Sequence, residues 1–546
     1  MRKNWMMKIA AMGMCIVLAA GALAGCSRGN SNKNEVSKVE KETGEDGGQD
    51  VSEEPVTIEW LAYNTYAQPN EDSEIVKQIE KKFNVKFEFW YVDDQKWDEV
   101  LGAKLSSGDM PDVMKIKNTA NIPIYVKQGI LAEITDEMLA KIPSFTKQVE
   151  EANVEGNGII DAYYDGKMYA LKTPSIPGTY PTVMVWRTDW LKNLGIEKIP
   201  ASIDEMEEAM YAIRNNDPDG NGVKDTYGMS NTAMNAVFGA YGAIPLKEFR
   251  GTGTQNLFYT EKDGKIEFAC TQPEMKAALA KIQNWYKEGF IDPEFITGEN
   301  TAGYWATSQA FENGKVGVTG MALGTHWMPA LEEGKKGGPC YEGFVAMNPE
   351  AKWEETVNIG PAIQGPDGKS GTHTWGGFSP VGFGITTKCA EDPRKVDAIL
   401  AMIEAYSSEP EYALLASWGI EGIHYEKTED GGVRRLEPFT KPSEYIQDGV
   451  AVFMLGSNIE LDRSLSKKSF EFSDKYKTTG YQDILVPATE AANQYLTDLK
   501  TFTLDAYIKI MTGEESVDYF DTFVQEFNSM GGEQILNEIN AEIAKN

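Results

Sequence analysis

A nine-residue loop rich in acidic side chains is the segment best suited to bind a cation. Residues 217–225 read Asp-Pro-Asp-Gly-Asn-Gly-Val-Lys-Asp, with oxygen-bearing side chains at the first, third, fifth and ninth positions. Ca²⁺ takes about six to eight oxygen ligands, and this spacing, with glycine at the sixth position, is typical of an EF-hand loop. The predicted ligands are Asp217, Asp219, Asn221, the backbone carbonyl of Val223, and Asp225.

The loop departs from the EF-hand pattern at its twelfth position. Gly228 stands where an EF-hand carries a bidentate glutamate, so a missing ligand must be water or come from elsewhere in the chain. Only one helix is predicted before the loop and no second hand follows, so we expect any bound Ca²⁺ to be structural. The alternative is a polar turn rich in Asp, Asn and Gly that binds no metal.

A cysteine near the N-terminus is the second residue whose setting indicates chemistry. Residues 9–25 form a short apolar run that follows three basic residues and ends in Leu-Ala-Gly before Cys26. This pattern predicts a secretory signal peptide over residues 1–25. The cysteine at the cut resembles that of the bacterial lipobox, which is acylated and becomes the new N-terminus. The alternative is a transmembrane anchor, but a spanning helix needs about 20 apolar residues, and the run over residues 9–25 is shorter than that.

The sequence carries no recognised catalytic motif. It has only three histidines, His326, His373 and His424, and no His-Glu-x-x-His, Gly-x-Ser-x-Gly, Walker or Cys-x-x-Cys pattern. A glycoside hydrolase needs only two carboxylates at a set separation, and the chain has 83 acidic residues. A secreted carbohydrate-processing enzyme therefore stays an alternative, as does a surface glycan adhesin.

The composition limits the partners of the chain. The 546 residues carry a net charge of −31, which repels phosphate backbones and anionic headgroups. We therefore expect no nucleic-acid partner and membrane attachment through the lipid anchor alone. Cys270, Cys340 and Cys389 give neither metal spacing nor a disulfide framework, although one pair could bridge. We expect them to be buried thiols.

Alternating strands and helices must position these residues. Residues 26–54 are polar and contain no aromatic residue, which predicts a lipid-anchored flexible tether. Residues 57–116 then read strand-helix-strand-helix-strand, which implies a largely parallel sheet that binds ligands at the carboxyl ends of its strands. A second α/β region starts near residue 182, and the chain is too long for one core.

Four stretches, in order along the chain, resemble motifs of a known family. This family is the sugar-binding group of the extracellular solute-binding proteins of ABC importers. Residues 107–113 resemble the family's Gly-Asp-x-Pro-Asp turn, and residues 165–171 its Gly-Lys-x-Tyr-x-Leu-Pro strand. Residues 187–196 resemble Arg-x-Asp-x-Leu-x-x-Leu-Gly, and residues 311–318 resemble Phe-x-x-Gly-Lys-x-Ala-Met. The acidic loop and the long C-terminal region resemble the lipoprotein branch that includes alginate-oligosaccharide-binding proteins.

The resemblance implies an α/β, two-lobed periplasmic-binding-protein-like fold of type II, with a hinge and a ligand cleft between the lobes. It implies that lobe 1 comprises residues 55–180 plus 350–392, and lobe 2 residues 181–349 plus 393–546. The implied function is to capture a carbohydrate, expected to be an oligosaccharide, and deliver it to the ABC permease without catalysis. The protein would act on the outer face of the cell membrane, held there through Cys26.

Aromatic and polar residues in loops after predicted strands are the expected ligand contacts. A sugar stacks its ring faces on aromatic rings and bonds its hydroxyls to polar side chains. The chain has 12 Trp and 24 Tyr, most of which must pack in cores, so residues in loops with Gly or Asn are favoured. The candidates are Trp327, Trp375 and Trp418, then Tyr63, Asn64, Asp109, His326, Trp305 and Trp186.

Overall fold

Two four-stranded sheets, each covered by helices, organise the chain. The computed structural model describes residues 54–153, 158–247, 249, 256–296, 309–331, 336–374, 376–429, 431–482 and 484–545. The predicted signal peptide, Cys26 and nearly all of the predicted tether lie outside these residues. No helix in the described part of the chain is both long enough and apolar enough to cross a membrane.

The described elements alternate along most of the chain. The strands are β1 (Val56–Leu61), β2 (Val85–Phe89), β3 (Val113–Ile116), β4 (Tyr163–Tyr164), β5 (Lys167–Met168), β6 (Thr182–Arg187), β7 (Tyr227–Met229), β8 (Tyr259–Lys262), β9 (Lys265–Phe268), β10 (Val316–Leu323), β11 (Val357–Gly360), β12 (Thr372–Thr374), β13 (Gly382–Ile385), β14 (Tyr425–Lys427), β15 (Val433–Arg435) and β16 (Gly480–Gln482). The α-helices are α1 (Glu74–Phe83), α2 (Trp97–Ser106), α3 (Ile122–Lys127), α4 (Asp136–Leu139), α5 (Pro143–Ala152), α6 (Thr188–Asn193), α7 (Ile203–Asn215), α8 (Met234–Ala240), α9 (Pro273–Lys287), α10 (Gln309–Glu312), α11 (Pro339–Met347), α12 (Trp353–Thr356), α13 (Thr387–Ala390), α14 (Pro393–Ser408), α15 (Pro410–Trp418), α16 (Pro442–Gln447), α17 (Ile459–Leu465), α18 (Lys467–Lys475), α19 (Glu490–Thr512), α20 (Tyr519–Phe527) and α21 (Glu533–Ile543).

Sheet 1 has the strand order β13-β3-β1-β2. Strand β1 runs parallel to β2 and β3, as predicted, and β13 closes the sheet antiparallel to β3. Leu61 pairs with Met114, so β3 extends past the end of β1. We call the side of the sheet where β1, β2 and β3 end the carboxyl edge of sheet 1. Strand β13 begins there, because Gly382 pairs with Ile116.

Sheet 2 has the strand order β11-β6-β10-β7. Strand β6 is antiparallel to both β10 and β11, and β10 is parallel to β7. All six residues of β6 are buried, which is typical of a central strand covered on both faces. Helix α7 packs beside this sheet and starts after Ser202, whose side chain accepts a hydrogen bond from the Glu205 amide.

Separate hydrophobic cores define the two lobes. The first core joins the residues around sheet 1 with buried side chains from 378–470, and we call this part lobe 1. Two further clusters join the residues around sheet 2 with the C-terminal helices, and we call this part lobe 2. The chain crosses between the lobes near residues 172–182, 364–382 and 471–483.

These cores differ from the lobe boundaries implied by the resemblance. Strand β11, expected in lobe 1, pairs with β6 in sheet 2. Helix α14, expected in lobe 2, buries Ile399 and Ile403 in the core of lobe 1. The apolar stripe of a helix shows that it packs against a core, but not which of two cores will receive it.

Candidate ligand-binding site

The carboxyl edge of sheet 1 carries polar and aromatic residues that follow each parallel strand. The Tyr63 side chain after β1 is only 3 % exposed, and its hydroxyl donates to the Trp90 carbonyl after β2 at 2.8 Å. Desolvation raises the pKa of Tyr63. Asn64 is exposed and accepts a hydrogen bond from the ammonium of Lys115. Tyr63 therefore joins two strands, whereas Asn64 faces the solvent at the edge.

A groove of about 670 Å³ opens on lobe 1 beside this edge. Lys117 and Asn118, which follow β3, line it together with residues of α2. The Lys117 ammonium pairs with the Asp94 carboxylate and lies 4.2 Å from the centroid of the Trp97 ring. The groove therefore has a charged lining, in which Lys117 and Asp94 partly neutralise each other.

A second cavity, of about 460 Å³, is lined by residues of both lobes, and we call it the interlobe cavity. Its volume lies in the range of roughly 300–1,000 Å³ that small-molecule sites occupy. The lining residues are Thr173, Pro174, Ser175, Ile176, Pro177 and Tyr180 of the first crossing segment, Leu323 and Thr325 after β10, and Tyr406, Met454, Gly456, Ser457, Asp462, Ser466, Ser469, Phe470 and Ser473 of lobe 1.

Hydroxyl groups and one carboxylate give the interlobe cavity its polar character. Ser469 and Ser473 lie four residues apart on α18, a spacing that puts them on one helical face, and Ser466 lies at the junction between α17 and α18. The Ser457 hydroxyl is buried and has no hydrogen-bond partner among the described residues. Desolvation raises the pKa of Asp462. Such a lining can accept hydrogen bonds from a ligand rich in hydroxyls.

A buried ion pair links the two regions. Lys172 donates to both carboxylate oxygens of Asp161, at 2.5 and 2.7 Å, and the Thr119 hydroxyl donates to the same carboxylate at 2.5 Å. Thr119 lies just beyond β3, and its amide donates to the carbonyl of Pro380. Because Lys172 directly precedes the lining segment that starts at Thr173, these bonds fix that segment to the carboxyl edge.

The neighbours of one predicted tryptophan also contact this segment. The Ser175 amide donates to the Gly377 carbonyl at 2.6 Å, and the Thr374 hydroxyl donates to the Gly178 carbonyl at 3.0 Å. Trp375 lies between Thr374 and Gly377 in the chain, but it is outside the described residues, as is Trp305. Their predicted roles as ligand contacts stay predictions.

Trp327 and Trp186 are core residues, which corrects the prediction that they contact a ligand. Both are 0 % exposed. The Trp327 ring stacks on Trp353 at 6.0 Å and meets Phe311 edge-on at 5.6 Å, so its faces are already covered. Trp186 lies in the central strand β6. The glycine before Trp327 indicated an open loop, but the turn at Gly324–Trp327 directs the ring into the core.

His326 and Asp109 also differ from their predicted positions at a ligand. The His326 Nδ1 accepts from the Leu323 amide at 3.0 Å, and desolvation lowers the pKa of His326 to about 4. Asp109 precedes β3 rather than following a strand, so it is not at the carboxyl edge. Its carboxylate lies 3.5 Å from the Lys104 ammonium on the surface.

Trp418 ends α15 in lobe 1 and is partly exposed. The guanidinium of Arg435 lies 4.7 Å from the Trp418 ring and 4.1 Å from the ring of Tyr445. The Arg435 guanidinium thus contacts two aromatic rings, those of Trp418 and Tyr445, and such cation–π contacts are stabilising. Trp418 is not among the residues that line the interlobe cavity.

The predicted metal loop forms an exposed turn between α7 and β7. Asp217 accepts from the amides of Asn221 and Gly222 at 3.1 and 2.9 Å, and the Asn221 side-chain amide donates to Asp219 and Asp225. Desolvation and the nearby carboxylates of Asp217 and Asp225 raise the pKa of Asp219. The oxygen donors suit Ca²⁺ chemically. No group of His, Cys, Asp or Glu in the described part of the chain is arranged as a metal site.

The residues of the interlobe cavity and Lys115 are not among the site residues predicted from the sequence. Tyr180, Asp462 and the cavity serines come from segments far apart in the chain, so no local motif joins them. Two weak signals were present. A lysine interrupts the apolar strand Val-Met-Lys-Ile at 113–116, and serines recur at helical spacing from 466 to 473.

Comparison with known proteins agrees with this architecture. Residues 74–409 match the family model of the bacterial extracellular solute-binding protein. The chain belongs to this family. The predicted α/β, two-lobed fold and the recognition of the family from sequence are thereby confirmed.

Two relatives from Bacillus subtilis (strain 168) span nearly the whole chain. The polygalacturonan/rhamnogalacturonan-binding protein YtcQ is 25 % identical over 538 residues, which cover 96 % of each chain. Lipoprotein LipO is 25 % identical over 560 residues, which cover 99 % of this chain and 98 % of the relative.

Solved structures share the fold at lower identity. The alginate-binding protein AlgQ2, crystallised without calcium ion, is 18 % identical with a TM-score of 0.59, over 90 % of this chain and 98 % of AlgQ2. An EF-hand mutant of FusA from S. pneumoniae, an ABC-transporter substrate-binding protein in complex with fructo-nystose, is 16 % identical with a TM-score of 0.55. The match covers 88 % of this chain and 97 % of the FusA chain.

Proposed function

We propose that this solute-binding protein captures an oligosaccharide between its lobes and delivers it to the permease of an ABC importer. The observation that carries the proposal is the interlobe cavity, whose lining joins both lobes and presents hydroxyls and a carboxylate. The names of YtcQ, AlgQ2 and FusA support a carbohydrate, since each is described by a saccharide it binds.

Binding and closure are the whole of the proposed mechanism. The Asp462 carboxylate accepts hydrogen bonds from sugar hydroxyls, and the serines that line the cavity bond to others. Because the cavity is lined from both lobes, a ligand that contacts both favours the closed arrangement over the open one. The permease then distinguishes loaded from empty protein by its shape. No bond in the ligand is made or broken.

The proposed location is the outer face of the cell membrane. Residues 1–25 act as a signal peptide, Cys26 is acylated after cleavage, and residues 27–54 tether the folded part to the lipid. The lipoprotein relative LipO supports this location.

The proposed role of the 217–225 loop is to hold a structural Ca²⁺ ion. Asp217, Asp219, Asn221 and Asp225 would supply side-chain oxygens and Val223 its carbonyl. The ion would neutralise the clustered carboxylates and fix the connection between α7 and β7. The calcium and EF-hand wording in the titles of the AlgQ2 and FusA structures supports the proposal.

Titration calorimetry against a panel of oligosaccharides tests the proposed function. We expect one class of oligosaccharide to bind, and Asp462→Asn to weaken that binding about tenfold or more, because hydrogen bonds to charged groups contribute about 1.5–3 kcal/mol. Glu460→Gln is the matched control, since Glu460 is an exposed carboxylate on the same helix that does not line the cavity.

Two outcomes would contradict the proposal. If no oligosaccharide binds, or if Asp462→Asn binds as tightly as wild type, the interlobe cavity is not the sugar site. If bound oligosaccharides are converted to shorter sugars on chromatography, the protein is a carbohydrate-processing enzyme rather than a carrier.

A further inference from the structure

We infer that the captured oligosaccharide is acidic, and that Lys115 at the carboxyl edge of sheet 1 pairs with one of its carboxylates. The inference rests on the proposed function and adds the substrate class to it.

The position of Lys115 places its ammonium at the edge where parallel sheets bind ligands. Since Leu61 is the last residue of β1 and pairs with Met114, Lys115 lies one residue beyond the end of β1. Its side chain reaches the loop after β1, where the Asn64 side-chain oxygen accepts a hydrogen bond from it. Asn64 is exposed, so the ammonium lies next to solvent-accessible surface.

Other lysines that contact sheet 1 or follow its strands differ from Lys115 in their partners. Lys117 pairs with Asp94, Lys388 with Glu59, and Lys395 with Asp112 at 2.8 Å. Among the residues that the structure describes, Lys115 has no carboxylate within ion-pair distance, and its hydrogen bond goes to a neutral amide. An ammonium has three N–H donors, so this one amide does not satisfy it.

The charges around Lys115 leave an excess of positive charge. Desolvation and the nearby ammonium of Lys117 lower the pKa of Lys115, and the Asp94 carboxylate, already paired with Lys117, opposes them. Two ammonium groups thus face one carboxylate. A ligand carboxylate at this point would restore neutrality and relieve the cost of the half-buried charge.

The composition makes this arrangement informative. The chain has 83 acidic residues against 52 basic ones, so most lysines have a carboxylate available. At long range the net charge of −31 repels an anionic ligand. An acidic sugar therefore needs a local cation that is not already neutralised, whereas a neutral sugar gains nothing from one. Asp462 in the interlobe cavity would repel the same carboxylate, which leaves the edge as its place.

The test compares an acidic oligosaccharide with its neutral form on one skeleton. The probes are tri- and tetragalacturonate and the same oligomers with every carboxyl group methyl-esterified, with alginate trisaccharides as a second uronate. We expect at least one uronate to bind tenfold or more tightly than its ester. The preference should shrink as salt rises from 20 to 500 mM, because the pair is partly exposed.

Variants assign the preference to Lys115. Lys115→Met keeps the apolar stem and should weaken uronate binding tenfold or more while leaving binding of the ester within twofold. Lys115→Arg keeps the charge and should retain the preference. Lys81→Met, which removes an exposed lysine of α1, is the matched control. Thermal unfolding confirms that each variant is folded.

The outcomes separate this inference from the proposed function. If neutral oligosaccharides bind as tightly as the uronates, or if Lys115→Met weakens both forms equally, the acidic-ligand inference is wrong and the proposed function stands. If neither uronates nor neutral oligosaccharides bind, both are wrong. A Lys115→Arg variant that loses the preference while folded would also overturn the pairing.

Discussion

At the scale of single residues, removal of the buried Trp327 ring should lower the stability of the folded protein. Trp327→Ala deletes a fully buried indole between Trp353 and Phe311, so we expect unfolding free energy to fall by about 3–5 kcal/mol. Denaturant unfolding measures this loss, and Trp418→Ala, at a partly exposed ring, should cost less. Ligand affinity of the folded variant should be unchanged. A Trp327→Ala protein of normal stability that no longer binds ligand would instead place this ring at the ligand.

A second residue-scale prediction concerns pH and Glu312 at the end of α10. Desolvation raises the pKa of Glu312 from 4.5 to about 7. The folded state thus favours the protonated carboxyl, and this contribution is present below about pH 4.5 and lost as pH rises through 7. We expect Glu312→Gln and wild type to differ little in Tm at pH 4.5, and the variant to be the more stable at pH 8.

Exposed Glu354 in α12 supplies the control for this pH dependence. The Tm difference between Glu312→Gln and wild type should vary more with pH than the difference between Glu354→Gln and wild type. A Glu312→Gln difference that varies no more with pH than the Glu354→Gln difference would show that folding does not raise the pKa of Glu312.

At the scale of elements, the loop between α7 and β7 should respond to calcium. Removing Ca²⁺ with EGTA should lower Tm, since an ion at 100 times its Kd adds about 2.7 kcal/mol to stability. Asp217→Ala should lower Tm in Ca²⁺ and abolish the response to EGTA, whereas Glu208→Gln on α7 should keep it. Sugar affinity should change little, because the loop lines neither cavity. If calorimetry detects no Ca²⁺ binding to wild type, the loop is only a turn.

Elements set by local signals could be predicted from the sequence. Helix α1 begins after Ser73, whose side chain accepts from the Val76 amide, as the capping pattern indicates. Strand β2 alternates buried Val85, Phe87 and Phe89 with exposed residues. Helices that follow parallel strands then fix the topology of this part of sheet 1.

Long-range pairing could not be predicted in the same way. The pairing of β3 with β1 sets which end of β3 lies at the carboxyl edge, and Asp109, which precedes β3, lies at the opposite end. Edge strands β11 and β13 join sheets formed by much earlier segments, and their sequences do not indicate which sheet. The candidate site depends on these pairings, which is why Asp462 and Lys115 were found only in the structure.

At the scale of the whole molecule, the anchor should be separable from the folded part. Cys26→Ser removes the proposed acylation site, so we expect the protein to leave the membrane fraction while keeping its Tm and ligand affinity. Fractionation followed by immunoblotting measures the release, and Cys15→Ser, inside the predicted signal peptide, is the control that stays in the membrane. Unchanged membrane association of the Cys26→Ser protein would refute the lipobox interpretation.

The late arrival of β13 in sheet 1 has a consequence for biogenesis. A chain that emerges N-terminus first has made β1, β2 and β3 long before residue 382, so β3 waits with one unpaired edge while lobe 2 is still being synthesised. An exposed strand edge is a template for wrong pairing. Nascent or truncated chains that stop before β13 should therefore depend on holding chaperones, and complete folding belongs to the period after synthesis.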